Sequence, residues 1–230
     1  MRFKSIILLS LTAFLHLTVQ AQDDSPRISP TATYIDDDGH EAVSSTDVAA
    51  QAPLDVTFRA NPQNMEGIIP IYEWHFKKEG EETELMVRYE EDTQYTFTDS
   101  GTTLVTLILK QANQEETLDS ATIKVTIHES KLSFPNAFSP NGDEKNPTFK
   151  AKEYQSIVEF HAYIFNRWGQ KLYEWTDPAG EWDGTYNGKV VKDGTYFLLV
   201  KAKGADGRTY NIRKDVNVLT GYTEGNRLNY

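Results

Sequence analysis

"APLDVTFRA", residues 52–60, is the stretch from which the fold is first legible. Leu54, Val56 and Phe58 occupy every second position, with Asp55 and Thr57 between them. Successive side chains of an extended chain point to opposite faces, so this spacing predicts a strand with one face on a core and the other in water. Six further runs between residues 28 and 129 have the same character: ISPTATYI (28–35), IYEWHFK (71–77), ELMVRYE (84–90), QYTFT (94–98), TTLVTLILK (102–110) and ATIKVTIHE (121–129). All are rich in Val, Ile, Thr, Tyr and Phe. Clusters of turn residues bound them, among them DDDGH (36–40), NPQNMEG (61–67) and TDSG (98–101). Seven such runs with no helix-period segment among them predict an antiparallel β-sandwich. Trp74 lies mid-run in YEWHF, where its ring is expected to fill the core.

The C-terminal half reads as a second all-β unit. In QSIVEFHAYIFNR (155–167), Val158, Phe160, Ala162 and Ile164 alternate onto one predicted face. QKLYEW (170–175) follows a turn, and TYFLLVKAK (195–203) is joined to RTYNIRKDVNVLT (208–220) by GADG. Asp-Gly accepts the positive φ of a tight turn, so this pair is a predicted hairpin. The segment SFPNAFSPNGDEKNPTF (133–149) reads as the unit's first strand and a following loop. Pro135 and Pro140 suit a first or edge strand, Phe134 and Phe138 share a face, and Gly142 is free to take positive φ in the turn.

The chain has 230 residues, no cysteine, and a formal net charge of −11. Its start, MRFK followed by the apolar run SIILLSLTAFLHLTV and then VQA, has the layout of a secretory signal (residues 1–21) cleaved between Ala21 and Gln22. A polar lead-in would cover residues 22–27. Nothing after the signal is apolar for long enough to span a bilayer. Loss of Arg2 and Lys4 with the signal leaves 34 acidic against 21 basic residues, a net of −13. Such a surface repels nucleic acid and anionic lipid, so neither is expected as a partner. An exported chain without cysteine has neither disulfide nor thiolate metal site and must stand on core packing.

APLDVTFRA, YEWHF and YTFTDSGTTLVTLIL resemble, in order and spacing, the PKD-like branch of immunoglobulin-like domains, although the usual Gly/Asp-rich turn around the tryptophan is degraded. Residues 28–130 are assigned to that unit. FPNAFSPNGDEKNPTF, IFNRWGQKLYEW and EWDGTYNGKVVKDGTYFLLV are similar to the signature blocks of the gliding-motility-associated C-terminal domain, the type B C-terminal domain of type IX secretion cargo in Bacteroidota. Residues 131–220 are assigned to it, with a C-terminal tail at 221–230. The matching positions are Pro135, Asn136, Phe138, Pro140, Asn141 and Gly142, then Asn166, Arg167, Trp168 and Gly169, and finally Trp182, Asp183, Gly184 and Gly194. The resemblance implies a second immunoglobulin-like sandwich, so the expected fold is all-β with two tandem antiparallel sandwiches. It also implies delivery to the cell surface or medium through the periplasm, and recognition by the type IX translocon or an outer-membrane accessory protein of it.

Candidate sites are few. Asn141, Asp143 and Asn146 offer oxygens at near-alternate positions, as calcium prefers, although the family pattern has Gly at Glu144 and Asp at Pro147. The alternative is an Asx-turn in which these side chains satisfy local backbone groups. The acidic DDDG at 36–39 is read either as a calcium loop or as a solvated acidic hairpin tip. His75, His128 and His161 are isolated within strand patterns, without metal spacing or a nearby serine elbow, and His75 is expected at the surface. No catalytic residue and no cofactor are assigned, and the protein is read as a non-enzyme. Trp168, Trp175 and Trp182 lie within fifteen residues and near turns. A shared structural task is the expectation, and a sugar-binding platform is the rival. The first sandwich is read as a spacer or a ligand-binding module for a surface glycan or protein. A carbohydrate-binding or adhesin module and a structural subunit of a surface assembly are the alternatives.

Overall fold

The computed structural model describes residues 24–114 and 116–221. Ala21, Gln22 and tail residues 222–230 lie outside the described residues, and with them the cleavage site and nearly all of the tail. The N-terminal half holds β1 (Thr31–Ile35), β2 (Glu41–Ser44), β3 (Asp47–Ala50), β4 (Leu54–Arg59), β5 (Pro70–Lys78), β6 (Glu84–Arg88), β7 (Thr93–Phe97), β8 (Gly101–Gln111) and β9 (Thr117–Ile127). The C-terminal half holds β10 (Lys131–Ser133), β11 (Ala137–Phe138), β12 (Phe149–Lys150), β13 (Glu153–Gln155), β14 (Ile157–Phe165), β15 (Lys171–Trp175), β16 (Glu181–Trp182), β17 (Thr185–Tyr186), β18 (Lys189–Val190), β19 (Gly194–Gly204) and β20 (Thr209–Val218). Among the described residues no helix is long and apolar enough to cross a membrane.

The first sandwich packs the sheet β2-β1-β4-β7 on the sheet β3-β9-β8-β5-β6. The alternation of Leu54, Val56 and Phe58 is the inward face of β4, and all three are buried. Phe58 is the hub. Its ring lies 5.7 Å from Trp74, 5.8 Å from Phe76 and 6.4 Å from Phe97. Trp74 is fully buried, and its indole N–H donates to the carbonyls of Glu90 and Glu91 at 3.0 and 3.2 Å. Those bonds let the ring's one polar atom enter the core without a desolvation penalty.

The second sandwich is built on the sheet β11-β20-β19-β14-β15, with the ladders β10-β13, β12-β16 and β17-β18 closing its sides. Its own buried cluster gathers Phe134, Phe138, Phe149, Ile164, Trp182 and Val216, among others.

Three features depart from the sequence expectation. The sheets are not wholly antiparallel: β3 runs parallel to β9 and β11 parallel to β20, so each five-stranded sheet gains a parallel edge. Strands β2 and β3 were not foreseen, because Ala and Ser in short runs carry little strand signal. Val158 does not share the face of Phe160. A register shift between Ile157 and Glu159 puts Ile157 into the second core and turns Val158 onto the first.

That bulge belongs to the junction between the sandwiches. The β19–β20 hairpin inserts Ala205, 6% exposed, into the first core. Ser100 N–H donates to Ala205 O at 2.9 Å, Ala205 N–H to Ser156 O at 2.9 Å, and Ala52 N–H to Ser156 Oγ at 3.1 Å. Ser130 Oγ donates to Asp206 Oδ1 at 2.7 Å and meets Tyr210 Oη at 2.8 Å. Gly204 fits beneath it because a Cβ there would lie 2.1 Å from Ser130 Oγ.

Candidate recognition surface

The segment 133–149 is not one strand. It leaves β10, crosses to pair β11 with the end of β20, and returns as β12 beside β16. Pro135 falls between β10 and β11, where no ladder bond is required of it. Phe138 sits 5.8 Å from Phe149 and 5.3 Å from Trp182, and Asn136 O accepts the N–H of Asn217 at 2.9 Å. Trp182 is fully buried, and its indole N–H donates to Thr185 O at 2.9 Å. Asp183 Oδ1 accepts both the N–H and the hydroxyl of Thr185 at 2.8 Å, fixing the turn. Gly184 has φ +79°, and a Cβ on it would meet Pro140 Cγ at 2.9 Å and the Phe138 ring at 3.1 Å. Pro140, Phe138 and Gly184 are therefore one packing unit.

In the loop after Pro140, Asn141 Nδ2 donates to Asp143 Oδ2 at 2.8 Å. Asp143 N–H donates to Asn141 Oδ1 at 3.1 Å, and Lys145 N–H to Asp143 Oδ1 at 2.9 Å. The amide bond from Asn141, with the Lys145 N–H, holds the Asp143 carboxyl below its usual range. Asn146, at φ +47°, gives its backbone oxygen to Ser139 N–H at 2.8 Å. Each carboxylate oxygen of Asp143 thus accepts a local N–H. At DDDG, Asp36 Oδ1 likewise accepts the N–H groups of Asp38 and His40. Among the described residues no group of three or more His, Asp or Glu side chains is placed to hold a metal ion.

The turn joining β14 to β15 presents the one tryptophan that does not enter a core. Asn166 organises it: Oδ1 accepts the N–H groups of Trp168 and Gln170, each at 3.0 Å, and Asn166 O accepts Gly169 N–H at 3.0 Å. Gly169 supplies the φ of +79° that closes the turn. Gln170 Nε2 donates to Tyr186 Oη at 2.9 Å, which ties the turn to the β17–β18 hairpin. The Trp168 side chain takes no part in this. It is 80% exposed, with the Arg167 guanidinium 5.2 Å from its ring centroid. A common structural task for Trp168, Trp175 and Trp182 therefore fails for the first of them, since only the other two are buried.

His75 lies on the face of β5 opposite Trp74. It is half-buried on the outer face of β5, with Nδ1 2.7 Å from Glu84 and Nε2 3.3 Å from Glu73. Lys110 Nζ donates to Glu73 at 2.7 Å, and that bond holds the Glu73 carboxyl below its usual range against the desolvation that would raise it. His161 stacks on Tyr163 at 4.2 Å and lies 3.8 Å from Glu174. Both histidines sit in networks bridging strands. Sequence reasoning missed the polar junction residues Ser130, Ser156 and Asp206, along with Lys189 and Lys192 beside the Trp168 turn. The GADG hairpin signal included Asp206, and the block EWDGTYNGKVVKDGTYFLLV contained both lysines without marking them.

Residues 132–214 match the family model described as the CHU_C Type IX secretion signal domain, a span running from β10 into β20. No curated protein matches the chain. One similar solved structure is the Bacteroides ovatus mixed-linkage glucan utilization locus protein SGBP-B in complex with a mixed-linkage heptasaccharide, with 15% identity and a TM-score of 0.31. The match covers 86% of this chain and 48% of that one. Another is the tetra-tandem repeat in the extending region of a large adhesion protein, with 9% identity, 85% and 68% coverage, and a TM-score of 0.30. A third is dimeric latent PorU from Porphyromonas gingivalis, with 13% identity, 91% and 21% coverage, and a TM-score of 0.27.

Proposed function

We propose that this protein, whose C-terminal sandwich carries a type IX secretion signal domain, is a non-catalytic cargo of a Bacteroidota cell, delivered to the surface or the medium. The C-terminal unit (131–220) would be the export address, engaged by the translocon or an outer-membrane accessory protein, and the N-terminal unit (28–130) a spacer or ligand-binding module. One observation carries the reading: the family match over residues 132–214 falls on strands that close a core of their own. The matching residues support a folded shape rather than a reaction. Phe138, Pro140, Trp182 and Gly184 pack together, while Asn166 and Asp183 hold turns. Deleting residues 131–230 and locating the remainder tests it. Retention inside the cell is expected, and unimpaired surface delivery would refute the address.

A second reading, a glycan-binding module, draws on the solvent-side ring series of β14. His161 stacks on Tyr163, Tyr163 lies 6.1 Å from Phe165, and Phe197, 42% exposed, pairs with Phe165 across the sheet. Glycan-array binding that disappears in Tyr163→Ala would support it. A calcium ion, should the protein take one up, would enter at Asn141, Asp143 and Asn146, where Asp143 would have to exchange the Asn141 amide for the metal. A rise in melting temperature in calcium over chelator reads this directly.

A further inference from the structure

The C-terminal sandwich has two ends, and they are chemically unlike. At one end the β19–β20 hairpin, Ser130 and Ser156 are buried against the first sandwich. At the other end lie the Asn166–Gln170 turn, the β17–β18 hairpin and the start of β19. The nine residues of β14 separate the two ends by about 30 Å.

At the far pole Trp168 is 80% exposed and Val190 51%. Arg167 and Trp168 face Lys192 and Tyr196 across a small cleft, and the Gln170–Tyr186 bond brings the hairpin bearing Lys189 alongside. Among the described residues Arg167, Lys189 and Lys192 have no carboxylate partner. Asp193, which lines the same cleft, is occupied by the N–H and hydroxyl of Thr220. The pole therefore presents unpaired positive charge around an exposed indole.

This charge stands out against the rest of the chain. Residues 22–130 hold 7 basic and 22 acidic side chains, a net of −15, whereas residues 131–230 hold 14 and 12, a net of +2. The indole is also dispensable to its own turn. Only the backbone N–H of residue 168 bonds to Asn166, which any residue would supply. Trp and Arg are both enriched among the residues that anchor protein interfaces.

The shape selects the kind of partner. A glycan lies along a flat platform of several rings. Here a single ring, 80% exposed, stands out from the turn at the edge of the cleft, with a guanidinium near one of its faces. A projecting ring needs a concave receptor, and its cationic collar needs carboxylates at the rim.

We propose that this pole is the surface by which the C-terminal sandwich is gripped, with Trp168 entering an apolar pocket rimmed by carboxylates on a protein of the export machinery. The inference rests on the export reading above and names the part of the domain that is read. Because the pole is the end farthest from the first sandwich, it stays accessible whatever that sandwich carries.

The test uses the full chain in the bacterium that makes it. Surface fraction is read by external protease for Trp168→Ala, Arg167→Glu, their combination, Trp168→Phe, and the exposed Tyr89→Ala as control. The double variant should lose at least about tenfold in surface fraction, and Trp168→Phe should recover most of it. Melting temperatures of all should stay within about 2 °C of the parent. A photo-crosslinker at position 168 should give an adduct with an envelope protein, suppressed by Lys189→Glu with Lys192→Glu. Normal delivery of the double variant, with delivery abolished on deleting residues 131–230, would overturn the pole and leave the export reading standing. Delivery that survives the deletion overturns both. Adducts made only of two copies of this chain, or glycan binding lost in Trp168→Ala without any protein adduct, would replace the proposed occupant.

Discussion

The backbone N–H of Ala52 donates to the hydroxyl of Ser156 at 3.1 Å, across 104 residues of chain and from one sandwich to the other. Ser156 is fully buried and sits at φ +47°, a region that a non-glycine residue enters only when its surroundings hold it there. Its carbonyl accepts Ala205 N–H at 2.9 Å, so one residue satisfies donors from both sides of the junction. Replacing Ser156 with Ala leaves the buried Ala52 N–H without an acceptor. The expected loss is about 1–3 kcal/mol of unfolding free energy, read by chemical denaturation of the intact chain. A change under about 0.5 kcal/mol would mean that the junction is wet or loose.

Gly204 makes a second, steric test of the same junction. A methyl group there would lie 2.1 Å from Ser130 Oγ and 2.3 Å from Ser130 Cβ, far inside contact distance. Ser130 has no easy retreat, since its hydroxyl is held by Asp206 and Tyr210. Gly204→Ala should destabilise the protein by roughly 1–3 kcal/mol. Gly207→Ala provides the contrast, because nothing lies within 4 Å of its would-be Cβ and only its φ of +78° is strained. Thermal melts of the two variants should rank accordingly.

Trp182 is the largest fully buried side chain of the second core, touching Phe138 at 5.3 Å and Tyr196 at 5.8 Å between ring centroids. Trp182→Ala opens a cavity that the flanking rings cannot fill and should cost about 3–5 kcal/mol. Trp182→Phe should cost less, the shortfall reflecting lost volume and a Thr185 carbonyl left without its indole donor. Trp168→Ala, at the exposed turn, should move the melting temperature by no more than about 2 °C. Equal losses at the two positions would contradict the burial difference between them.

Much of the strand layout was legible because it rests on near-neighbour alternation. Leu54, Val56 and Phe58 declare their face within five residues, and the seven N-terminal runs correspond to β1 and β4 through β9. What was not legible depends on distant pairing. The parallel bond of β3 to β9 joins Val48 to Val125, and nothing local to Asp47–Ala50 specifies it. The three clustered tryptophans looked equivalent in sequence, yet the turn that Asn166 fixes turns Trp168 outward while Trp175 and Trp182 close on the core. The junction was invisible for another reason. Its residues are small and polar, and their roles appear only when Ala52, Ser130, Ser156 and Ala205 are brought together from both halves.

Acid should loosen that junction through Asp206. Burial alone would push its carboxyl up, but the hydrogen bonds from Ser130 Oγ, Arg208 N–H and Ser130 N–H outweigh burial and hold it below the usual range. A carboxyl whose folded pKa lies below its unfolded value stabilises the fold fully above the unfolded value, near 4. That contribution is lost as pH falls through the lower, folded value. Stability of the parent should therefore decline below about pH 4, and Asp206→Asn should remove part of that decline while lowering stability at neutral pH. Denaturation midpoints of the two proteins between pH 7 and pH 3 measure both effects. Parallel curves for parent and variant would show that Asp206 is not tied to Ser130 in solution.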